Sequence, residues 1–512
     1  MQMFQTNILY PNSVIPPLEK MVVEPECFLD LNLNQVIGAI TKDKDAYNLK
    51  PFFYTTLKEL DTIYYRQAIF KDLENDCVLK TVKLFAENMV VMRRYLNLIT
   101  RLYFKVHKQG WFLEATLSYC RALRELSKNL NGAPLKSDGL VNFRAYLEDY
   151  LTSQSFLTLE ADTISTHEQL RAIQYNITIK DRTVRISKYN SELDYSLDVE
   201  RIFNKFTQRG AEAPQIDKPS VGGMTHVEAQ ILENVAKLYP DAFQQLNLFC
   251  EKHLHFTDKT ILDFDRGIQF YVSYLDFITP QKSKFLSYCY PTVSDKKDIF
   301  ATNTFDIALA DKHRLPYKPT ITNDFHLENK ERVFIVTGPN QGGKTTFARL
   351  FGQIHYLASL GCPVPGTKAK LFLFDDVYTH FEKEENLENL RGKLKDDLVR
   401  IHKILDDASP QSIIIMNEIF SSTTFKDALF LSKEVLKRIF QLDALAVCVT
   451  FIDELSTMSE QTVSMVSTVD PEDHTKRTYR IIRTPADGLA YAKHIAAKHR
   501  LSYQQIIERL QK

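Results

Sequence analysis

The chain has 512 residues, and its 64 basic side chains balance its 64 acidic ones, which gives a formal net charge of zero. This balance excludes a general cationic field, so any contact with nucleic acid has to come from local basic patches. The seven cysteines are scattered without a C-x-x-C pair, and no apolar run reaches the roughly 18 residues that cross a bilayer. We therefore expect a cytoplasmic protein that makes no membrane contact.

Along the chain, the sequence pattern predicts three parts: an amino-terminal segment (1–50), a helical domain (51–311) and a carboxy-terminal domain (312–512). In the second part, apolar residues recur at helical spacing with few breakers, which predicts long amphipathic helices. Alternating apolar and polar residues at about 172–189 predict a β-hairpin inserted among these helices. The proline and polar content of residues 312–325 is typical of a junction between domains.

A phosphate-binding loop follows an apolar strand in residues 331–346, ERVFIVTGPNQGGKTT. Its glycines allow a tight turn whose N–H groups face nucleotide phosphates, and the following helix adds the positive end of its dipole. Lys344 is expected to reach the β- and γ-phosphates, and the Thr345 hydroxyl to bind Mg²⁺. The predicted ligands are therefore ATP and Mg²⁺. The residues expected around the nucleotide are Gly338, Pro339, Asn340, Gln341, Gly342, Gly343, Lys344, Thr345 and Thr346.

A second apolar strand, SIIIMNE at 412–418, ends in Asn417 and Glu418. Its continuous apolar run predicts a buried parallel strand, and in a P-loop fold the polar end of such a strand faces the nucleotide. With Lys344, Glu418 is the expected catalytic residue, because its carboxylate can orient or deprotonate the attacking water. Asn417 is expected at the Mg²⁺ ion. Since an amide carries no negative charge, it predicts weaker metal binding and slower hydrolysis than a carboxylate would give.

Four stretches resemble successive motifs of the MutS ATPase domain: TGPNQGGKTTFAR, followed by residues 358–381, 417–424 and 449–456. They stand in the order that the family has, and the resemblance is specific over about residues 320–500. It implies an α/β P-loop NTPase domain of the ABC-like MutS type at the carboxy terminus. A mostly α-helical lever and clamp domain with a small β insertion would precede it. In the family such an insertion is where the clamp touches DNA, but the predicted hairpin fits a structural insertion equally well.

The sequence departs from the family pattern at three places. Asn417 stands where the family usually has Asp, and Phe451 stands where it usually has His. The region ENLRGKLKDDL at 388–398 replaces a Ser-Thr-Phe loop that completes the neighbouring subunit's site, and Lys393 and Lys395 are alternative phosphate contacts there. These departures indicate a divergent, bacterial MutS-like mismatch-repair protein. Because core-like sequence begins almost at the amino terminus, we expect no mismatch-reading domain.

The resemblance implies an ATPase coupled to DNA binding. The expected protein is a dimeric, nucleotide-gated clamp that acts on mismatched or otherwise structured DNA in repair or recombination, through contacts with backbone and shape. A homodimer would form through the ATPase domains, and the expected interface loop consists of Ser421, Ser422, Thr423 and Thr424. Two alternatives stay open: an ATP-dependent clamp on RNA, the ribosome or a protein complex, and a nucleotide-binding scaffold with little hydrolysis.

Overall fold

A computed structural model describes most of the chain. The described residues are 7–11, 23–180, 183–190, 224–282, 286–313, 319–382, 392–470, 472–473 and 476–486. They form two compact units. The first comprises the described residues within Glu74–Leu135 and Leu140–Asp265, and the second comprises those within Asn7–Leu73, Lys136–Gly139 and Arg266–Lys512.

This division differs from the expected boundaries at residues 50 and 311. Residues on both sides of the second boundary belong to one sheet, because the strand Ile299–Thr304 pairs with Asn323–Leu327 and with Lys368–Phe372. Residues 7–73 also pack in the unit that contains the P-loop. Packing between segments that are distant in sequence decides which residues share a core, and helical periodicity carries no information about it.

The described residues contain helices and strands that we number in chain order. The helices are α1 (Cys27–Asp30), α2 (Leu33–Ile40), α3 (Lys50–Tyr54), α4 (Leu60–Leu73), α5 (Asp76–Arg101), α6 (Lys105–Asn131), α7 (Asp138–Thr152), α8 (Gln154–Arg171), α9 (His226–Leu238), α10 (Pro240–Lys252), α11 (Lys259–Lys282), α12 (Ile307–Lys312), α13 (Lys344–Ser359), α14 (Lys393–Asp407) and α15 (Phe425–Leu442). The strands are β1 (Tyr175–Lys180), β2 (Thr183–Lys188), β3 (Tyr288–Cys289), β4 (Thr292–Ser294), β5 (Ile299–Thr304), β6 (Asn323–Leu327), β7 (Val333–Thr337), β8 (Val364–Pro365), β9 (Lys368–Phe372), β10 (Val377–Phe381), β11 (Ile413–Asn417), β12 (Leu445–Val449), β13 (Thr462–Val469) and β14 (Arg477–Arg483).

The first unit is mostly helical, as the periodicity predicts. Helix α5 packs against α6 through one apolar face. The residues of α5 that form this buried face recur every three or four positions and are Val78, Val82, Phe85, Met89 and Met92. Asn75 caps the helix by accepting a hydrogen bond from the backbone N–H of Cys77. Among helices in the described ranges, none is long and apolar enough to cross a membrane.

Strands β1 and β2 lie in the first unit, where alternation in the sequence predicts a hairpin. They pair antiparallel, with Tyr175 opposite Lys188 and Ile177 opposite Ile186. Residues directly opposite each other point to the same side of the ribbon. One side therefore combines these apolar residues with Lys188, and the other side carries polar residues.

The second unit contains the largest sheet among the described residues, with strands in the order β10-β11-β12-β7-β13-β14. The first five are parallel, and β14 pairs antiparallel with β13. Strands β7, β11 and β12 are buried along their whole length, which explains their continuous apolar sequences. Because parallel strands end at the same edge, Thr337 and Asn417 are brought to one side of the sheet.

Helix α13, which begins in the P-loop, is anchored at its carboxyl end by a buried arginine. Arg66 of α4 donates from Nη1 to the carbonyl oxygen of Leu360 and from Nε to that of Leu9, both over 3.1 Å. A guanidinium at this end complements the helix dipole. Gly361 then turns the chain with a φ of +77°, and a Cβ on it would lie 2.7 Å from Arg66 Cβ.

We expect Gly361→Ala to destabilise the protein by about 2 kcal/mol, because alanine disfavours a left-handed backbone and its Cβ has no room beside Arg66. Thermal unfolding of the full chain measures the effect as a lower melting temperature. Gly38→Ala is the matched control. Gly38 lies in α2 with no atom within 4 Å of the added Cβ, so this variant should melt no lower than the wild type. Equal melting of Gly361→Ala and wild type would contradict the prediction.

Candidate nucleotide-binding site

The loop between β7 and α13 has the backbone conformation that its glycines allow. Gly338 and Gly343 have φ values of +112° and +94°, and Gln341 has +60°. A Cβ on Gly342 would lie only 2.2 Å from Ser467 Oγ of β13. The Ser467 hydroxyl donates to the Gly342 carbonyl oxygen over 2.7 Å. The loop is therefore held tightly against β13, so a side chain has no room at Gly338 or Gly342.

Lys344 is buried at the start of α13, and its ammonium group turns back into the loop. Nζ donates to the carbonyl oxygens of Gly338 (2.9 Å) and Pro339 (3.3 Å) and to Asn340 Oδ1 (3.4 Å). Burial lowers the pKa of Lys344, and the Glu418 carboxylate opposes this shift. A lysine held in this way places its positive charge beside the loop's backbone N–H groups.

Thr345 and Asn417 meet across the edge of the sheet, although 72 positions separate them in the sequence. The Thr345 hydroxyl donates to Asn417 Oδ1 over 2.9 Å. Within the described ranges, no group of three or more His, Cys, Asp or Glu side chains is placed to hold a metal ion. A hydroxyl and an amide oxygen nevertheless suit Mg²⁺, which takes most of its remaining ligands from phosphates and water. The residues present therefore fit a Mg²⁺–nucleotide.

Glu418 follows β11 in a left-handed backbone conformation, with a φ of +54°. Its backbone N–H donates to the Val449 carbonyl oxygen over 2.9 Å. A non-glycine residue in this region carries roughly 1 to 3 kcal/mol of strain, and such strain is concentrated at functional sites. The strain is maintained because the backbone of Glu418 is tied to the neighbouring strand β12.

A cavity of about 610 Å³ brings together the loop and Glu418. The predicted residues in its lining are Gln341, Gly342, Gly343, Lys344, Thr345, Thr346 and Glu418. Gly338, Pro339 and Asn340 lie behind them as the acceptors of the Lys344 hydrogen bonds. Asn417 joins the site through its bond to Thr345.

The lining also contains residues that sequence reasoning did not identify. Leu309, Pro319 and Ile321 are apolar, and Tyr479 adds a ring that is 51% exposed. Tyr479 has a φ of +60°, and its carbonyl oxygen accepts a hydrogen bond from Asn323 Nδ2 over 3.4 Å. Because these residues come from three separate segments without a local motif, only the fold brings them together. The cavity therefore combines a polar end with an apolar, aromatic end.

The segment Ser421 to Thr424 lies outside the lining of this cavity. Thr424 caps α15, since its hydroxyl accepts a hydrogen bond from the Asp427 N–H over 3.3 Å. The Ser421 hydroxyl donates to Glu382 Oε1 over 3.4 Å. Lys393 also pairs with Glu382, so its charge is compensated within the chain. Of the region 388–398, the structure describes residues 392–398, and Lys395 is exposed there.

Phe451 also lies outside the lining of the cavity, and 49% of its surface is exposed. The preceding Thr450 is buried, and its backbone N–H donates to the Val336 carbonyl oxygen of β7 over 3.0 Å. The strand end is thus held in place, while the phenyl ring offers no hydrogen bond to a phosphate.

The buried parallel sheet, the glycine loop between β7 and α13, and the polar end of β11 define a P-loop ATPase-type domain. Residues 334–508 match the family model described as MutS domain V. Over 155 residues the chain is 28% identical to the DNA mismatch repair protein Msh3 of Mus musculus, a stretch that covers 30% of this chain and 14% of that protein. The chain therefore spans only a small part of the length of this relative. The matches confirm the resemblance to the MutS family seen in the sequence, and the similarity to MutS domain V extends over residues 334–508.

We expect Asn417→Asp to reduce by about tenfold the Mg²⁺ concentration needed for half-maximal ATP hydrolysis, because a carboxylate adds a negative charge and still accepts the Thr345 hydrogen bond. Titration of Mg²⁺ at saturating ATP measures this value. Asn417→Ala removes the acceptor and should shift the requirement in the opposite direction. An identical Mg²⁺ requirement in all three proteins would show that residue 417 has no part in metal binding.

Proposed function

We propose that the chain is a cytoplasmic, ATP-dependent DNA-binding protein of the MutS type. It would act as a dimeric, nucleotide-gated clamp on mismatched or otherwise structured DNA in repair or recombination. The observation that carries the nucleotide part is the contact between Thr345 and Asn417 beside the buried Lys344. This arrangement assembles a phosphate-binding loop and a metal-binding strand end at one cavity.

In the proposed reaction, the backbone N–H groups of the loop and the Lys344 ammonium hold the phosphates of ATP and offset their negative charge. Thr345 and Asn417 would hold a Mg²⁺ ion, which would supply positive charge to offset that of the phosphates. Glu418 orients a water molecule toward the γ-phosphate and accepts its proton. The side chain fits this role because it lines the same cavity as the loop.

The proposed dimer uses the exposed segment Ser421 to Thr424. The amino terminus of α15 directly follows it, so the segment presents hydroxyl groups and the positive end of a helix dipole. Phe425 and Phe430 of the same helix are 48% and 64% exposed, and exposed aromatic side chains are typical of interface centres. A second copy of the chain would cover these residues and place the segment at its partner's nucleotide.

The DNA-binding part of the proposal is supported by the charge of the hairpin in the first unit. Strands β1 and β2 carry the exposed residues Lys180, Arg185 and Lys188, and their sequences YNITIK and TVRISK contain no carboxylate. A neutral chain with a local cationic ribbon can bind phosphates there, and the affinity would decrease with salt. We therefore favour the hairpin as a nucleic-acid contact over a purely structural insertion.

A second candidate function is a nucleotide-binding scaffold with little hydrolysis. It is favoured by Asn417, because its amide brings no negative charge to the metal. Phe451 favours it as well, because its ring lies outside the cavity lining and cannot hydrogen-bond a phosphate. In this case ATP binding alone would hold the protein in one conformation.

We expect the chain to hydrolyse ATP, and one DNA form to stimulate the rate. We expect Glu418→Gln to reduce that rate by about a hundredfold or more, because the amide cannot accept the proton. Phosphate release is measured alone and with homoduplex, mismatched, branched and single-stranded DNA, and with RNA of matched length. Glu418→Gln should retain ATP binding, which equilibrium binding of a fluorescent ATP analogue checks.

Three results would change the assignment. Hydrolysis that survives Glu418→Gln would contradict the role of this residue. Stimulation by RNA without stimulation by DNA would move the proposal to an RNA clamp. Tight ATP binding without phosphate release from the wild type would favour the scaffold.

A further inference from the structure

A cavity of about 400 Å³ lies within the first unit, away from the nucleotide-binding loop in sequence and formed by other elements. Its walls come from α6, α8, α9 and α10 and from the first residue of β1. Small-molecule sites in proteins begin at about this size and have mostly apolar walls with a few polar groups. The apolar wall consists of Leu170, Leu232, Val235, Phe243 and Leu246.

Trp111, the single tryptophan of the chain, lines this cavity. Its indole N–H donates to His107 Nε2 over 2.8 Å. The Tyr95 ring packs beside it, with centroids 4.9 Å apart. Since the polar atom of the indole is bonded within the protein and the ring is braced by Tyr95, the indole offers the cavity a fixed surface of aromatic carbon.

The cavity also lies at the base of the cationic hairpin. Tyr175, the first residue of β1, is part of the lining. The hairpin is attached beside it through Tyr239, whose hydroxyl donates to the Gln174 carbonyl oxygen over 2.5 Å. The Lys188 ammonium lies 5.3 Å from the centre of the Tyr239 ring. An aromatic cavity is thus adjacent to a ribbon whose two strands carry no carboxylate. Lys188 shares a side of this ribbon with Tyr175, and Lys180 and Arg185 lie on its other side.

We propose that this cavity takes one unstacked nucleobase of a nucleic-acid strand whose phosphates lie along the hairpin. Stacking of single bases on aromatic side chains beside a positively charged track is how proteins hold unpaired strands. Glu114 in the lining can accept hydrogen bonds from the amino groups of a base. The inference rests on the proposed nucleic-acid binding, and it specifies the feature that is recognised: an unpaired base.

The cations favour a nucleobase over an uncharged apolar ligand. An isolated apolar molecule would gain from Trp111 and the leucines, but would make no use of Lys188, which shares a side of the ribbon with Tyr175. A base joined to its phosphates uses both features at once. The base can come from DNA or from RNA, since both present the same flat ring.

The test uses the whole 512-residue chain and three probes of equal length: a mixed-sequence DNA single strand, the same strand with abasic sites in place of its bases, and the corresponding RNA strand. Anisotropy of a dye on each strand measures the dissociation constant at fixed salt. Emission of Trp111 reports independently whether the ring is contacted, since the chain has one tryptophan. We expect quenching by the base-bearing strand and at least about fivefold tighter binding than to the abasic strand.

Trp111→Ala should remove most of this preference for bases, whereas Trp111→Phe should retain much of it because the ring remains. Lys188→Ala should weaken the binding of base-bearing and abasic strands by the same factor, because it removes a phosphate contact. Melting temperatures and ATP hydrolysis of the variants show whether they fold. If Trp111→Ala does not fold, two measurements still test the base pocket: the preference of Trp111→Phe for the base-bearing strand, and the quenching of wild-type emission.

Equal binding of base-bearing and abasic strands by the wild type would overturn the base pocket and leave the proposed nucleic-acid binding intact. The same conclusion would follow if Trp111→Ala weakened the binding of both strands equally, or if the emission of Trp111 did not change when the wild type binds a strand. If the RNA strand binds more tightly than the DNA strand, and both bind more tightly than the abasic strand, the result would support the pocket and indicate that its base comes from RNA. Absence of binding to all three strands would overturn the nucleic-acid proposal and the pocket with it.

Discussion

The nucleotide-binding site depends above all on the anchoring of helix α13. A loop that leaves its backbone N–H groups open for phosphates makes few bonds of its own, so the helix behind it has to be fixed elsewhere. From Phe347 onward nearly every residue of α13 is buried. Arg66 holds its carboxyl end at Leu360, and the Gln353 side chain bonds to Asp306 Oδ1 over 2.8 Å. The helix therefore presents Lys344 from a rigid support.

Three of the strained backbone positions line the nucleotide cavity. Gln341, Glu418 and Tyr479 all have positive φ values without being glycine. The backbone of Glu418 is held by its bond to Val449, and that of Tyr479 accepts a hydrogen bond from Asn323. Strain of this kind persists only where surrounding contacts determine the backbone, which agrees with a site that is shaped before its ligand arrives.

The sequence predicts the parts of the site that depend on local patterns. The loop at 338–346 was recognisable because its glycines, lysine and threonine are contiguous, and Asn417 because it ends a continuous apolar strand. The outer side of the cavity was missed, because Tyr479 belongs to an edge strand with no motif. The unit boundaries also differ from those expected. Arg66 packs against the P-loop helix from about 300 positions away in the chain, and periodicity cannot reveal such a contact.

The central claim is that the loop around Lys344 binds Mg²⁺–ATP, and calorimetric titration of ATP into the 512-residue chain tests it most directly. We predict one site per chain and a loss of affinity of about tenfold or more in Lys344→Ala, because a charge-assisted hydrogen bond to phosphate is removed. Lys330→Ala, which removes an exposed lysine paired with Glu460, should bind as the wild type does. Unchanged ATP affinity in Lys344→Ala, or no binding by the wild type, would contradict the account.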